Sequence, residues 1–133
     1  MVARRGIDDA SGFAAVRAVL DAGDGADAVA VPRDRLATAV RYLLQLLAEK
    51  APGHTVEVRV PPFGAVQVVE GPRHTRGTPP NVIETDARTW VELASGRLLW
   101  ADAARDARVT ASGTRATLDD LIPVLPHSFD LRE

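Results

Sequence analysis

The length, composition and charge of the chain narrow its possible functions before any motif is considered. With 133 residues and a formal net charge of -2, it has the size of one domain and lacks the basic balance of a general nucleic-acid-binding protein. Cysteine is absent, which excludes disulfide bonds, thiolate metal sites and thiol nucleophiles. No segment resembles a signal peptide or approaches the roughly 20 apolar residues of a membrane span, so we expect a cytoplasmic protein without membrane insertion.

Two helices are predicted at the start of the chain. Residues 11–21 carry an apolar stripe typical of a helix, and the small residues of 22–33 indicate a linker. Asp34 is placed to cap a second helix that runs to residue 51. Apolar side chains recur along one face of this helix, which predicts that the face is buried. The face consists of Leu36, Val40, Leu43 and Leu47.

The period of the apolar residues then changes from that of a helix to that of a strand. Residues 55–60 alternate valine with polar side chains, which predicts a strand with one buried face. A Pro-Pro-Phe-Gly turn leads to a second strand over 65–70, and the two are expected to pair as a hairpin. A loop rich in proline and glycine follows over 71–80, and residues 81–85 form a third strand.

A helix, a sharp turn and a return to the core are predicted next. Asp86 is placed to cap a helix that carries Trp90, and Gly96 ends this helix in the left-handed conformation. The apolar residues 98–100 are then expected to re-enter the core.

The remaining elements are short. We predict a helix over 101–107 and a strand over 108–112. Thr117 and Asp120 have the spacing of a capping box, which predicts a closing helix that carries Leu118, Leu121 and Ile122.

Helices and strands do not alternate one for one, which argues against a parallel sheet and for the α+β class. We expect a mostly antiparallel sheet of four to five strands, covered by helices on one face. The chain is divided into an N-terminal helix and linker at 1–33, an α+β region at 34–125 and a loose tail at 126–133, all in one compact domain.

The ordered set of these segments resembles the sterol carrier protein superfamily, and more closely its bacterial branch in actinobacteria. The resemblance covers residues 34–125. It is carried by VEVRV, GAVQVVEG, GPRHTRGTPPNVIETD, WVELASGRLLWADA, RVTASG and RATLDDLIPVL. The resemblance implies a five-stranded sheet covered by helices, around an apolar cavity that holds a lipid, a sterol or a fatty acyl chain. The longer helical N-terminus and the loop Arg73-His74-Thr75-Arg76 depart from the eukaryotic carriers.

Four apolar side chains are candidates to line such a pocket: Leu43, Leu47, Trp90 and Trp100. The alternative is ordinary core packing, since any buried helix shows a leucine face and a buried tryptophan usually has a partner for its N–H group.

Three potential cations, Arg73, His74 and Arg76, lie within four residues and are candidates to bind an anion or a lipid head group. The alternative is a solvated loop, or ion pairs between the arginines and Glu70 or Glu84.

No catalytic residue, metal site or cofactor is predicted, because the histidines are scattered and no nucleophile elbow, phosphate loop or dinucleotide fingerprint occurs. The leading hypothesis is a non-enzymatic carrier of an apolar small molecule. One alternative is an enzyme, or the helper domain of an enzyme, that acts on a small anionic substrate through the loop at 73–76. Another is a protein-interaction module. The sequence does not indicate an oligomeric state.

Overall fold

A computed structural model of the protein describes residues 6–23, 30–71, 81–126 and 129. Within these residues, helices and strands follow one another in the order expected of an α+β protein. In chain order they are α1 (Asp9–Ala22), α2 (Arg33–Lys50), β1 (Pro52–Val60), β2 (Gly64–Val68), β3 (Asn81–Thr85), α3 (Ala87–Ser95), α4 (Trp100–Arg105) and β4 (Val109–Ser112). None of these helices is long and apolar enough to cross a membrane.

The two N-terminal helices begin differently from each other. At α1, the Asp8 carboxylate accepts hydrogen bonds from the backbone N–H of Ser11 at 3.0 Å and from its hydroxyl at 2.8 Å, which lowers the pKa of Asp8. At α2, Pro32 occupies the N-cap position and no side chain caps the helix, so the prediction that Asp34 is the cap is wrong. Asp34 lies instead in the first turn, where a carboxylate interacts favourably with the helix dipole.

The sheet is mixed, with the strand order β2-β1-β3-β4 in the described chain. β1 pairs with β2 and β3 with β4 in antiparallel fashion, but β1 and β3 are parallel. The prediction of a mostly antiparallel sheet is therefore wrong for the central pair. β2 and β3 lie on opposite sides of β1, and β2 ends where β1 begins. A chain that enters β3 from that end must run parallel to β1, which the alternation of apolar residues cannot reveal.

The main core lies between the sheet and α2, which packs across β1 and β2. Val56, Val58 and Val60 project from β1 into this core and are at most 1% exposed, as their alternation predicts. Leu43 and Leu47 meet them from α2 and are fully buried.

The helix after β3 ends as predicted, but the segment that follows it does not return fully to the core. Asp86 caps α3 by accepting a hydrogen bond from the N–H of Thr89, and Gly96 ends the helix with a φ of 88°. Leu99 serves as the N-cap of α4 and is 67% exposed, so the prediction that it re-enters the core is wrong.

The predicted closing helix is absent from the described chain, which forms turns at residues 118–121. The Thr117 hydroxyl accepts a hydrogen bond from the N–H of Asp119, two residues on, rather than capping a helix. Asp120 has a shorter side chain than the glutamate of a capping box, and Pro123 follows closely, so a single isolated turn cannot propagate.

One residue of the segment predicted to be a loose tail is described beyond residue 126. Phe129 is buried, with its ring centroid 5.0 Å from that of Phe13 on α1 and with the Arg17 guanidinium 4.8 Å from its ring. The chain therefore touches α1 again after β4.

Candidate functional site

Three of the four predicted pocket residues lie in the packed core. Leu43, Leu47 and Trp90 are fully buried, and the indole Nε1 of Trp90 donates a hydrogen bond to the carbonyl oxygen of Val40 at 3.2 Å. This bond joins α3 to α2 across the interior. Trp90 thus has the paired N–H group of an ordinary core tryptophan.

Trp100 lies at the border between two groups of buried side chains. It is half-buried and packs both on the main core and on a smaller cluster of Leu93, Ala103 and Val109 beneath α4. Its position follows from α4, of which it is the first residue.

The cationic loop residues Arg73, His74 and Arg76 lie outside the described residues. Their predicted role in anion binding therefore stays a prediction. Glu70 and Glu84, the carboxylates proposed to neutralise them, are both exposed.

The contact between α1 and α2, here called the seam, was not predicted as a site. Near the start of α1 the two helices are very close, because Gly12 lies directly on the ring of Tyr42 and a Cβ atom there would overlap the ring. The Tyr42 hydroxyl donates to an Asp9 carboxylate oxygen at 2.5 Å. The side-chain amide of Gln45 accepts from the N–H of Ile7 at 2.8 Å and donates to its carbonyl oxygen at 3.0 Å. Polar bonds therefore close this end of the seam.

The environment of Tyr42 has an electrostatic consequence. Burial of the phenol, followed by its hydrogen bond to Asp9 and the charge of that carboxylate, raises the pKa of Tyr42 above its ordinary value. The phenol therefore stays protonated, and a donor, across the physiological range of pH.

The other end of α1 is held by a charged network on α3. Arg88 donates to the carbonyl oxygen of Val19 at 3.1 Å and to Glu92 at 3.2 Å. Arg108 donates to the second Glu92 oxygen at 2.9 Å and to the Thr89 hydroxyl at 3.0 Å. Glu92 is thus paired with two arginines. Through these contacts the network links α1, α3 and the residue before β4.

Where α1 ends, the seam opens into a mostly apolar cleft of about 460 Å³, here called the seam cleft. A second, more polar cleft of about 600 Å³ adjoins it, and the two share Pro32 and Arg35. Leu43, Leu47, Trp90 and Trp100 line neither of them. The seam cleft is lined by Ala18, Asp21, Ala22, Ala30, Val31, Pro32 and Arg35. The polar cleft adds Ser11, Ala14, Ala15, Asp34 and Thr38.

Two features of the sequence could have indicated the seam. A glycine inside a predicted helix usually has a packing reason, and Gly12 is such a residue. Alanine is also frequent along α1, and short side chains at a helix contact either bring the backbones together or leave space. Neither feature shows by itself which of these two outcomes occurs.

Comparison with known proteins identifies the family. None of the curated proteins compared with the chain matches it. The family described as bacterial SCP ortholog, where SCP denotes sterol carrier protein, matches residues 32–124. The matched region begins at the N-cap of α2, contains every strand of the described sheet and leaves out α1. Because it covers more than half of the sequence, the chain belongs to this bacterial family of sterol carrier protein-like proteins.

Proposed function

We propose that the protein is a non-enzymatic carrier that binds an apolar small molecule such as a fatty acid, another lipid or a sterol. The observation that carries the proposal is membership of the sterol carrier protein-like family over residues 32–124. The sheet with one apolar face under α2 is consistent with it. Affinity would come from removing apolar ligand surface from water, at about 25 cal/mol per Å² before losses.

The seam cleft is the location that the geometry favours for the ligand. Its volume of about 460 Å³ lies within the roughly 300–1,000 Å³ of typical small-molecule sites. Ala18 and Ala22 give it smooth apolar walls that suit a hydrocarbon chain. A site in the core beside Leu43, Leu47 or Trp90 would instead require side chains that are now fully buried to separate.

The charges around the seam cleft restrict the head group of the ligand. Arg35 lies between the apolar and the polar cleft, where its guanidinium can pair with a carboxylate. Asp21 lines the apolar cleft and Asp34 the polar one, so a second negative charge on the ligand would meet repulsion. A monocarboxylate or a neutral alcohol therefore fits better than a phosphate monoester.

The first experiment asks whether a lipid is bound at all. Native mass spectrometry of the protein purified from bacteria should show a retained lipid, and titration calorimetry with dodecanoic acid should show saturable binding. Absence of both a retained mass and saturable heat would refute the carrier proposal.

The second experiment tests the location with a matched pair of variants. Ala18→Trp fills the seam cleft, whereas Ala104→Trp adds the same ring to an exposed position on α4. We expect the first variant to bind dodecanoic acid about tenfold or more weakly, since a blocked cleft loses the apolar burial that drives binding. The second variant should leave the affinity unchanged. Equal affinities in both variants would place the ligand elsewhere.

The third experiment tests the head group. Replacement of Arg35 by glutamine should lower the affinity for dodecanoic acid about tenfold, because a charge-assisted hydrogen bond of roughly 1.5–3 kcal/mol is lost. The affinity for dodecanol should stay almost the same. Equal losses for both ligands would mean that Arg35 acts through packing and not through the carboxylate.

A further inference from the structure

The turn between β1 and β2 forms a surface that the carrier proposal does not use. It is here called the hairpin tip and consists of Pro61, Pro62 and Phe63 with Arg33 and Arg41 of α2 beside it. Both prolines are exposed, and Phe63 is half-buried with its ring packed on the core. The exposed turn is therefore apolar, although the sheet face behind it is polar.

The two arginines are held against this turn by different contacts. The Arg33 guanidinium lies 5.1 Å from the centre of the Phe63 ring, in a cation–π contact. Arg41 donates from Nε to the Phe63 carbonyl oxygen at 2.8 Å. Both side chains are exposed, and neither forms an ion pair with any residue that the structure describes. Each therefore presents N–H groups to solvent from a fixed position.

The acids nearest the two prolines lie on the polar face of the sheet, where Glu57 and the exposed Glu84 line a cleft with Pro61 and Pro62. Glu57 binds Arg59 at 2.6 Å on the polar face of the sheet and, together with the charge of Glu84, raises the pKa of that arginine. Asp34 follows Arg33 directly and is the nearest exposed acid on α2. The α2 side of the tip carries Arg33 and Arg41 against the single acid Asp34, and is therefore positive on balance among the described residues.

We propose that the hairpin tip docks on the surface of an anionic lipid bilayer, with the two prolines against the head-group boundary and Arg33 and Arg41 on lipid phosphates. Exposed apolar residues flanked by basic side chains bind such interfaces, because apolar burial and attraction to anionic lipid act together. Arg33 and Arg41 start from positions about 12 Å apart along α2, and they contact different parts of Phe63, its ring and its carbonyl oxygen.

This proposal does not depend on the carrier function, because docking is measured without cargo. The experiment is flotation of the full chain with vesicles of phosphatidylcholine alone and with vesicles containing phosphatidylglycerol. We expect binding to the anionic vesicles only, with loss of binding as salt rises from 0.1 M to 1 M, since the Debye length falls from about 10 Å to about 3 Å.

A matched pair of variants identifies the surface. Arg33→Gln/Arg41→Gln and Arg97→Gln/Arg105→Gln change the net charge equally, but the second pair lies on and beside α4, which packs on β4 at the opposite edge of the sheet from β2. Each arginine near an anionic membrane contributes about fivefold to the partition coefficient. The tip variant should therefore bind anionic vesicles roughly 25-fold more weakly than the wild type, and the control variant should lose much less binding. Circular dichroism and melting curves check that both variants are folded. If the tip variant does not fold, Arg33→Gln alone takes its place, because it removes only a contact with a ring.

Each remaining outcome overturns the proposal. Equal losses in the two variants would show a response to net charge and not to the tip. Equal binding to neutral and anionic vesicles, or binding to neither, would contradict it as well. Binding of inorganic phosphate without binding to vesicles would indicate a small-anion site instead of a membrane surface.

Discussion

The two faces of α2 are packed in opposite ways. Toward the sheet, α2 presents Leu43 and Leu47 to the valines of β1, and these side chains leave no exposed surface. Toward α1, the contact is closed by hydrogen bonds beside Gly12 at one end and open as a cleft at the other, although α1 also buries Val16, Val19 and Leu20 in the core. Burial of large side chains makes the first interface costly to separate, whereas the cleft end of the seam is already open. The difference favours the seam, and not the core, as the place where a ligand can enter.

The boundary of the family match separates the same two interfaces. The matched residues begin at 32, so the core interface lies inside the family domain and the seam joins that domain to α1. The family match therefore covers only one side of the seam.

The largest expected effect belongs to the core. Val58→Asp places a carboxylate without a partner between β1 and α2, and should lower the free energy of unfolding by about 3–5 kcal/mol. Gln67→Asp puts the same group on an exposed position of β2 and serves as the control. Thermal unfolding of both variants measures the difference. An unchanged melting temperature for Val58→Asp would refute the assignment of this interface as the core.

The next effect concerns the closed end of the seam. Gly12→Ala introduces a methyl group that overlaps the Tyr42 ring. The variant should lower the free energy of unfolding by about 1–3 kcal/mol, although alanine favours helices. Combining it with Tyr42→Leu should recover part of the loss, because the ring is the obstacle. Denaturant unfolding of the single and double variants gives the coupling energy. If the stability losses of the two single variants simply add up in the double variant, Gly12 and the Tyr42 ring are not in close contact.

A smaller effect is expected from the polar bond at the same place. Tyr42→Phe should cost about 1 kcal/mol at neutral pH through loss of the bond to Asp9. Because the folded-state pKa of Tyr42 is raised, the contribution of the phenol is fully present below the unfolded value of about 10 and is lost as pH rises further. The stability gap between the wild type and the variant should therefore shrink above pH 10. A gap that stays constant up to pH 11 would contradict the raised pKa.

The smallest effect is expected at the cap of α1. Asp8→Ala removes the hydrogen bonds to Ser11 and should lower the melting temperature slightly at pH 7. The pKa of Asp8 is lowered in the folded state, so its contribution is present above the ordinary value near 4 and disappears as pH falls through the folded value. Melting curves of both proteins at pH 7 and pH 2.5 test this. A difference that survives in acid would mean that the carboxylate charge is not what stabilises the helix end.

Local signals in the sequence were sufficient from β3 to the end of α3, although they failed at the cap of α2 and after β4. The bounds 81–85 of β3, the cap at Asp86 and the left-handed Gly96 are all as predicted. These features depend on alternation, on a carboxylate before a helix and on a residue without Cβ. The residues that specify each of these features lie within a few positions of the feature itself.

Features that depend on distant partners were not predictable in the same way. The parallel pairing of β1 and β3 is decided by the end of the sheet from which the chain enters β3. Leu99 is apolar yet exposed, because its backbone serves as the cap of α4. The seam cleft depends on how α1 lies across α2, and helix composition alone leaves open whether alanines close a contact or leave space.

The central claim is that an apolar ligand binds at the seam and not inside the core. The most direct test is NMR titration of the isotope-labelled protein with dodecanoic acid, in which amide shifts are followed residue by residue. The account predicts saturable shifts at Ala18, Ala22 and Val31, with the amides of Val56, Val58 and Ile83 almost unmoved. Shifts concentrated at the sheet valines, with the seam unchanged, would contradict it and place the ligand in the core beside Trp90.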